Sequence, residues 1–206
     1  MTAEDLRAFL SQPALRVAPA ILGGHLTTRR GDGTVRLRIT EVEAYEGAHD
    51  PGSHAFRGRT ARNAVMFGPA GHLYVYRHLG LHHCVNLVCG PPGEASAVLL
   101  RAGEIVDGAD IALARRTAAG VCRSPLDLAR GPARLAVALA LDRGDDGVDV
   151  VPRTSAVRLV PPRLHATDVS AGPRVGVSGL GGDAEAFPWR FWLTGDVTVS
   201  AYRRAP

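Results

Sequence analysis

The sequence predicts a single α+β domain over residues 1–206, an antiparallel β-sheet with helices around it. Three observations predict it. Strand-like runs come in pairs joined by tight turns, so neighbouring strands run antiparallel. Helical patterns are short and few. No internal repeat and no long linker divides the 206 residues, a length that suits one domain with a substantial core.

The elements follow in order. Thr2 to Leu10 reads as a short helix, with Thr2 as N-cap before Glu4 and Asp5. "VAPAILGGHL" holds a second short apolar helix ending at Gly23-Gly24. "TTRRGDGTVRLRITEVEAY" reads as a hairpin: Asp32-Gly33 makes the turn and "TVRLRITEVEAY" alternates as a strand does. Residues 46–63 form a loop rich in Gly, Pro, His and Arg. "LYVYRHL" and "HHCVNLVC" are two strands joined near Gly80, and "ASAVLLRAGEIV" is a third. Gly108 to Ala118 is helical and Arg-rich. "SPLDLARGPARLAVALAL" gives two helical pieces, Ser124 capping the first and Gly131-Pro132 starting the second. "GVDVVPR", "SAVRLVPP" and the stretches around "RVGVS" and "WRFWLTG" read as strands.

Composition bounds the chemistry. Apolar residues make up 46% and charged residues 21%, as in an ordinary soluble globular protein. A net charge of +4 and a pI near 9.4 permit a polyanionic partner without requiring one. Lys and Arg together number 24, and all of them are Arg. Lysine Schiff-base catalysis is therefore closed, and the N-terminal amine is the sole amine nucleophile. Three cysteines are too few for a disulfide scaffold, which points to a reduced, intracellular setting. The N-terminus carries early acids and no long apolar core, unlike a signal peptide. No stretch approaches the roughly 20 apolar residues of a membrane span.

Four groups of side chains invite a chemical role. His82, His83, Cys84 and Cys89 have ligand chemistry, but adjacent strand residues point to opposite faces and no paired C-x2-C is present. Packed cysteines and hydrogen-bonded histidines fit better than a metal site. Tyr74 and Tyr76 share one strand face: either a core pair, or a stacking platform for a flat ligand. Glu41 and Glu43 also share a face. The plain alternative is a solvent-facing pair bridged to Arg36 or Arg38. The company of Tyr45, His49 and His54 suggests instead a carboxylate that positions and activates water. Arg57, Arg59 and Arg62 form either a solvated loop or a phosphate-contacting one. Taken together, a carboxylate, stacked aromatics, a His and an Arg loop suit an enzyme that handles a nucleobase on DNA.

The stretch "EVEAYEGAHDPGSHAFRGRTARNAVMFGPAGHLYVYRHLGLHHCVNLV", followed by "AVLLRAGEIVDG", "ARGPARLAVALAL", "PRVGVS" and "RFWLTG", resembles the 3-methyladenine DNA glycosylase family of the alkyladenine type. The likeness covers most of the chain from about Ala18 onward, and its motifs occur in order. It implies a curved antiparallel sheet, partly open and barrel-like, surrounded by helices. It implies base-excision repair: hydrolysis of the N-glycosidic bond of flipped-out 3-methyladenine, 7-methylguanine or hypoxanthine, leaving an abasic site. Glu43 matches the general base and Arg101 the Arg that helps hold the water and the flipped nucleotide. Tyr45, His54 and Tyr76 match the residues that enclose the base, and Asn86 matches the Asn that screens against the guanine amino group. Leu79 occupies the place of the side chain wedged into the DNA. Arg59 and Arg62 fall in the arginine loop, and Arg134 matches a phosphate contact. The expected partner is double-stranded DNA containing damaged purines, bound by a monomer in the cytoplasm at the nucleoid, with no metal, cofactor or membrane. The chain departs from the pattern in having Leu at the wedge, histidines beside it at His82 and His83, and a slightly shorter loop near Thr60. Rival functions are a DNA-damage binder without turnover and a hydrolase of free nucleosides.

Overall fold

A computed structural model describes residues 1–164 and 166–203. Among them are four α-helices and eight β-strands in one sheet. Helix α1 (Ala3–Leu10) starts at Thr2, whose hydroxyl accepts from the Asp5 amide while the Asp5 carboxylate accepts from the Thr2 amide, a reciprocal cap. Helix α2 (Ala14–Ala20) begins and ends earlier than its apolar pattern suggests, starting after Pro13 and stopping before the glycine pair. Strands β1 (His25–Arg30) and β2 (Gly33–Tyr45) form the expected hairpin. Arg30 pairs with Gly33, so the turn residues are Gly31 and Asp32, one position earlier than expected.

β3 (Leu73–His78) and β4 (His82–Val88) form the second hairpin, and β5 (Ala97–Asp107) follows. Helix α3 (Ala109–Ala118) lies where the sequence placed it. Around Ser124 the expected helix is one 3-10 turn over Pro125–Asp127, and the Ser124 side chain makes no capping bond. Helix α4 (Pro132–Ala138) starts on its proline. "GVDVVPR" is not a strand: it forms one isolated bridge, His72 to Asp149, with separate backbone bonds to Leu73 of β3 and Leu159 of β6 and no continuous ladder. β6 (Val157–Val160) falls in "SAVRLVPP". "RVGVS" is a loop, and the strand near it, β7 (Val169–Gly172), precedes it. β8 (Arg190–Leu193) lies in "WRFWLTG".

The strands run in the order β3-β4-β5-β2-β1-β6, with antiparallel neighbours throughout, and the sheet stays open between β3 and β6. β2 is its long central member. β5 pairs along one edge; β1 and then β8 pair along the other. Period-two alternation gives the sheet two different faces. Leu37, Ile39, Val42, Leu73, Val75, Val85, Leu87, Val98 and Leu100 join the main core with residues of the four helices. The opposite face carries Glu41, Glu43, Tyr74, Tyr76, Asn86 and Leu99, with a smaller cluster of Ala55, Met66, Tyr74, Val88 and Ala97 beside them.

Two compensating bulges shape the centre of the sheet. Ile39 pairs with Gly103 and Glu41 with Ala102, leaving Thr40 extra on β2; Val42 pairs with Leu100, leaving Arg101 extra on β5. Bulges bend a strand and re-aim a side chain. The second leaves Arg101 without a partner across the ladder, on the carboxylate face. Gly103 is required by this bend, because a Cβ there would lie 2.4 Å from the Arg38 carbonyl oxygen.

Candidate active site

One register row crosses four strands: Glu43 of β2 pairs with Leu99 of β5, which pairs with Asn86 of β4, which pairs with Tyr74 of β3. These four side chains form the floor of a cavity of about 350 Å³, in the size range of small-molecule sites. Pro51, Gly52 and His54 wall one side, and residues Val175 to Ser178 another. Tyr45, Tyr76, Cys84 and Arg101 complete the chemistry facing it.

Glu43 is fully buried as a residue, so the solvent-facing alternative for the Glu pair fails. A carboxylate in such a place must be paired and hydrogen-bonded. One Glu43 oxygen accepts from the Tyr45 hydroxyl at 2.8 Å, and the other from the Val175 amide at 2.7 Å, with Arg101 Nη1 at 3.3 Å from that same oxygen. Burial, then the Glu43 charge, holds the Tyr45 hydroxyl well above its ordinary pKa, so it remains a donor. Burial opposes the Arg101 charge, but Glu43 and Glu41 outweigh it and raise the Arg101 pKa.

Tyr74 and Tyr76 share a face as expected and stack, with ring centroids 5.6 Å apart. His54 sits edge-on to Tyr76 at 4.4 Å, and its Nδ1 is 3.0 Å from the Tyr74 hydroxyl. Desolvation, followed by the charges of Arg62 and His78, lowers the His54 pKa, which favours the neutral ring. Where the Tyr74 hydroxyl donates to Nδ1, the Nε2–H is left as a donor. Asn86 is buried and donates its amide to the Tyr74 carbonyl at 3.0 Å. Burial raises the Cys84 and Tyr76 pKa values, so both keep their protons.

The structure thus brings Glu43, Tyr45, His54, Tyr76, Asn86 and Arg101 around one cavity. It keeps the other four candidates outside the lining. Leu79 stands at the tip of the β3–β4 hairpin, 81% exposed, at φ +49°. That left-handed backbone costs a bulky residue about 1–2 kcal/mol. Such strain clusters at functional positions. Arg59 and Arg62 are exposed in the loop, with Arg62 5.7 Å from the Tyr76 ring centroid. Arg134 is half-exposed and paired with Asp127 at 2.9 Å. His49 is exposed and takes no part in the lining. His82 is exposed and Cys89 buried; among the described residues no three His, Cys, Asp or Glu side chains are grouped to hold a metal.

The sequence reading missed two buried arginines behind the cavity, Arg174 and Arg190, each paired with a buried carboxylate. Arg174 is fully buried beneath Tyr45, its guanidinium 4.5 Å from that ring, and forks onto Asp50 at 2.5 and 2.6 Å. Arg190 bonds Glu41 at 2.6 Å. One signal was available for each: an arginine inside an apolar strand-like run, "RVGVS" or "WRFW", needs a buried acid as partner.

The chain is similar to known proteins over nearly its whole length. A family model for "Methylpurine-DNA glycosylase (MPG)" matches residues 8–197. A Streptomyces avermitilis protein named "Putative 3-methyladenine DNA glycosylase" is 56% identical over 203 residues, covering 96% of this chain and 91% of its own. Proteins of the same name from Leifsonia xyli subsp. xyli and Mycobacterium tuberculosis are 53% and 46% identical, covering 97% and 100% of this chain and 92% and 95% of their own. With the match running through both the carboxylate row and the Arg174–Arg190 segment, the chain belongs to the methylpurine-DNA glycosylase family.

Proposed function

We propose that the cavity receives a flipped-out damaged purine and that Glu43 activates the water that displaces it from its sugar. Membership of the family makes the protein a DNA glycosylase of base-excision repair, with damaged DNA as its substrate. The finer reading is carried by one observation: a fully buried carboxylate, Glu43, facing a cavity lined by Tyr45 and Tyr76.

A base inside a duplex hides its sugar carbon, so it must be flipped out, at a cost of a few kcal/mol that is smallest for damaged or mispaired bases. Leu79 fills the vacated stack as an apolar wedge. Tyr45 and Tyr76 stack on the base. A cationic base such as 3-methyladenine or 7-methylguanine gains cation–π attraction of roughly 0.5–2 kcal/mol there and is already a good leaving group. The Glu43 charge steadies the cationic sugar as the base departs, and Glu43 accepts the proton of the attacking water, which Arg101 helps to hold. Hypoxanthine leaves less readily; the His54 Nε2–H donates to its edge. Without lysine, the product is an abasic site and the strand is left intact. The protein works on double-stranded DNA as a monomer inside the cell. No helix among the described residues is long and apolar enough to cross a membrane. Release of free base from alkylated and hypoxanthine-containing duplexes, against free nucleosides, is the test. Binding without release would identify a damage binder, and release from nucleosides alone a nucleoside hydrolase.

Asn86 supports a selectivity role. Guanine and hypoxanthine differ by one exocyclic amino group, and a side chain pinned by the Tyr74 carbonyl cannot swing away from it. Burying that amino group unpaired costs roughly 1–3 kcal/mol. Asn86→Ser is expected to raise the G·T rate relative to the I·T rate about tenfold in single-turnover assays. An unchanged ratio would place discrimination elsewhere.

Arg134 supports a phosphate contact. Among the described residues its guanidinium is paired only with a partly exposed Asp127, so DNA can compete for it. Arg134→Ala is expected to weaken binding to all duplexes alike and to flatten the salt dependence by about 0.9 in the log–log slope. A loss confined to lesion DNA would assign Arg134 to the pocket instead.

A further inference from the structure

Glu41 is fully buried, yet it does not line the cavity. Its Oε1 accepts from Arg101 Nε at 2.9 Å, Arg190 Nε at 2.6 Å and the Ser200 hydroxyl at 2.9 Å; its Oε2 accepts from the Ser200 amide at 2.7 Å. Buried behind the lining and held by four donors, Glu41 does not itself meet the water or the base. What it does control is Arg101. The Nε side of that guanidinium faces Glu41, Nη2 lies 3.3 Å from the Ser200 hydroxyl, and Nη1 alone reaches Glu43, at 3.3 Å. Arginine prefers a two-pronged grip on a carboxylate. Glu43 receives a single long contact because the other prongs are engaged.

Charge tells the same story. Glu41 and Glu43 face Arg101 and Arg190, two charges of each sign in a nearly dry place. Of the other titratable groups around the cavity, Tyr45, Tyr76 and Cys84 stay protonated, Arg174 is matched by Asp50, desolvation favours the neutral ring of His54, and His78 also lines it. Glu41 is thus the group that balances Arg101 and Arg190 apart from the base itself.

We propose that Glu41 is a positioning residue, holding Arg101 by its Nε side and taking up its charge, so that Arg101 borders the reaction without neutralising Glu43. This rests on Glu43 being the base. Removing the Glu41 charge frees Arg101 to grip Glu43 with both prongs, which quenches the base and displaces it from the water.

The test is single-turnover release of hypoxanthine from duplex DNA across pH, together with lesion-duplex affinity. Glu41→Gln keeps the shape and an acceptor but loses the charge. Its rate is expected to fall roughly 10–100-fold, with the acid limb of the pH–rate profile moved to lower pH by at least about 0.5 and affinity little changed. Glu41→Asp, which keeps the charge, is expected to retain the wild-type limb. Arg190→Gln removes a positive charge from the same network and is expected to move the limb the opposite way, to higher pH. It keeps the test open should Glu41→Gln fail to fold. Limbs that stay fixed, or move in the same direction in both variants, would reduce Glu41 to a structural role. A wild-type protein that releases no base from any lesion duplex would instead overturn Glu43 as base, and with it the frame of this proposal.

Discussion

Glu43→Gln is expected to lower single-turnover base release by about 10³-fold or more while leaving lesion-duplex affinity nearly intact. Glutamine matches the shape of the side chain, so it can still accept from the Tyr45 hydroxyl and the Val175 amide. The amide removes two things at once. It cannot take a proton from water, a loss usually worth about 10²–10⁴-fold. It also carries no charge to offset the positive sugar, and electrostatic stabilisation in a dry site is commonly the larger share. On the proposed reading, binding depends on other groups: the tyrosine stack, Leu79 and the arginines. The measurement is a matched pair, rate and affinity, on one hypoxanthine duplex. Release at the wild-type rate would remove Glu43 from the mechanism. Equal loss of rate and affinity would make it a binding group.

The carboxylate row and the aromatic face were legible because both follow from local alternation. "LYVYR" places Tyr74 and Tyr76 on one face of its strand, "EVEAY" places Glu41, Glu43 and Tyr45 together on one face of its own, and the turn at Leu79-Gly80 fixes the register that sets Asn86 opposite Tyr74. Whether Glu41 and Glu43 faced water or the interior was not legible. That depends on β8 covering the second half of β2, through pairs such as Glu43 with Arg190 that are far apart in the chain. Likewise Glu41 meets Ser200 across 159 residues and Asp50 meets Arg174 across 124. No window of alternating residues carries such information. The misread strands fail for a related reason. In "GVDVVPR" Val150 and Val151 are buried like strand residues, but they pack as a segment against the sheet edge without a ladder. In "RVGVS" the alternation is real, yet the Arg174 side chain turns inward to an ion pair, and the Val175 amide goes to Glu43 rather than to a neighbouring strand.

Arg174→Met is expected to destabilise the protein by about 3–5 kcal/mol, the usual cost of orphaning a buried charge. In a chain of this size that lowers the melting temperature by roughly 6–20 °C. Both side chains of the Arg174–Asp50 pair are fully buried. Arg174 also donates to the Ala44 carbonyl at 3.0 Å and the Gly181 carbonyl at 2.7 Å, so it ties β2, the 46–54 loop and the 174–182 segment together. The fit is close: a Cβ on Gly52 would lie 2.5 Å from Arg174 Nη2. Tyr45, Trp189 and Phe187 crowd around the guanidinium at 4.5, 5.3 and 5.7 Å. Without it, Asp50 keeps, among the described residues, only the amides of Gly52 at 2.8 Å and Glu46 at 3.3 Å. Asp50→Leu has the mirror defect, an arginine charge left with two carbonyls. The double variant removes both charges and is expected to cost less than the sum of the singles by at least about 1 kcal/mol. Urea titration of the four proteins measures this coupling. Single losses near 1 kcal/mol that simply add would show that the pair is not what holds the back wall of the cavity. Destabilised singles should also lose activity in their folded fraction, because the backbone that Arg174 anchors carries the Val175 amide against Glu43.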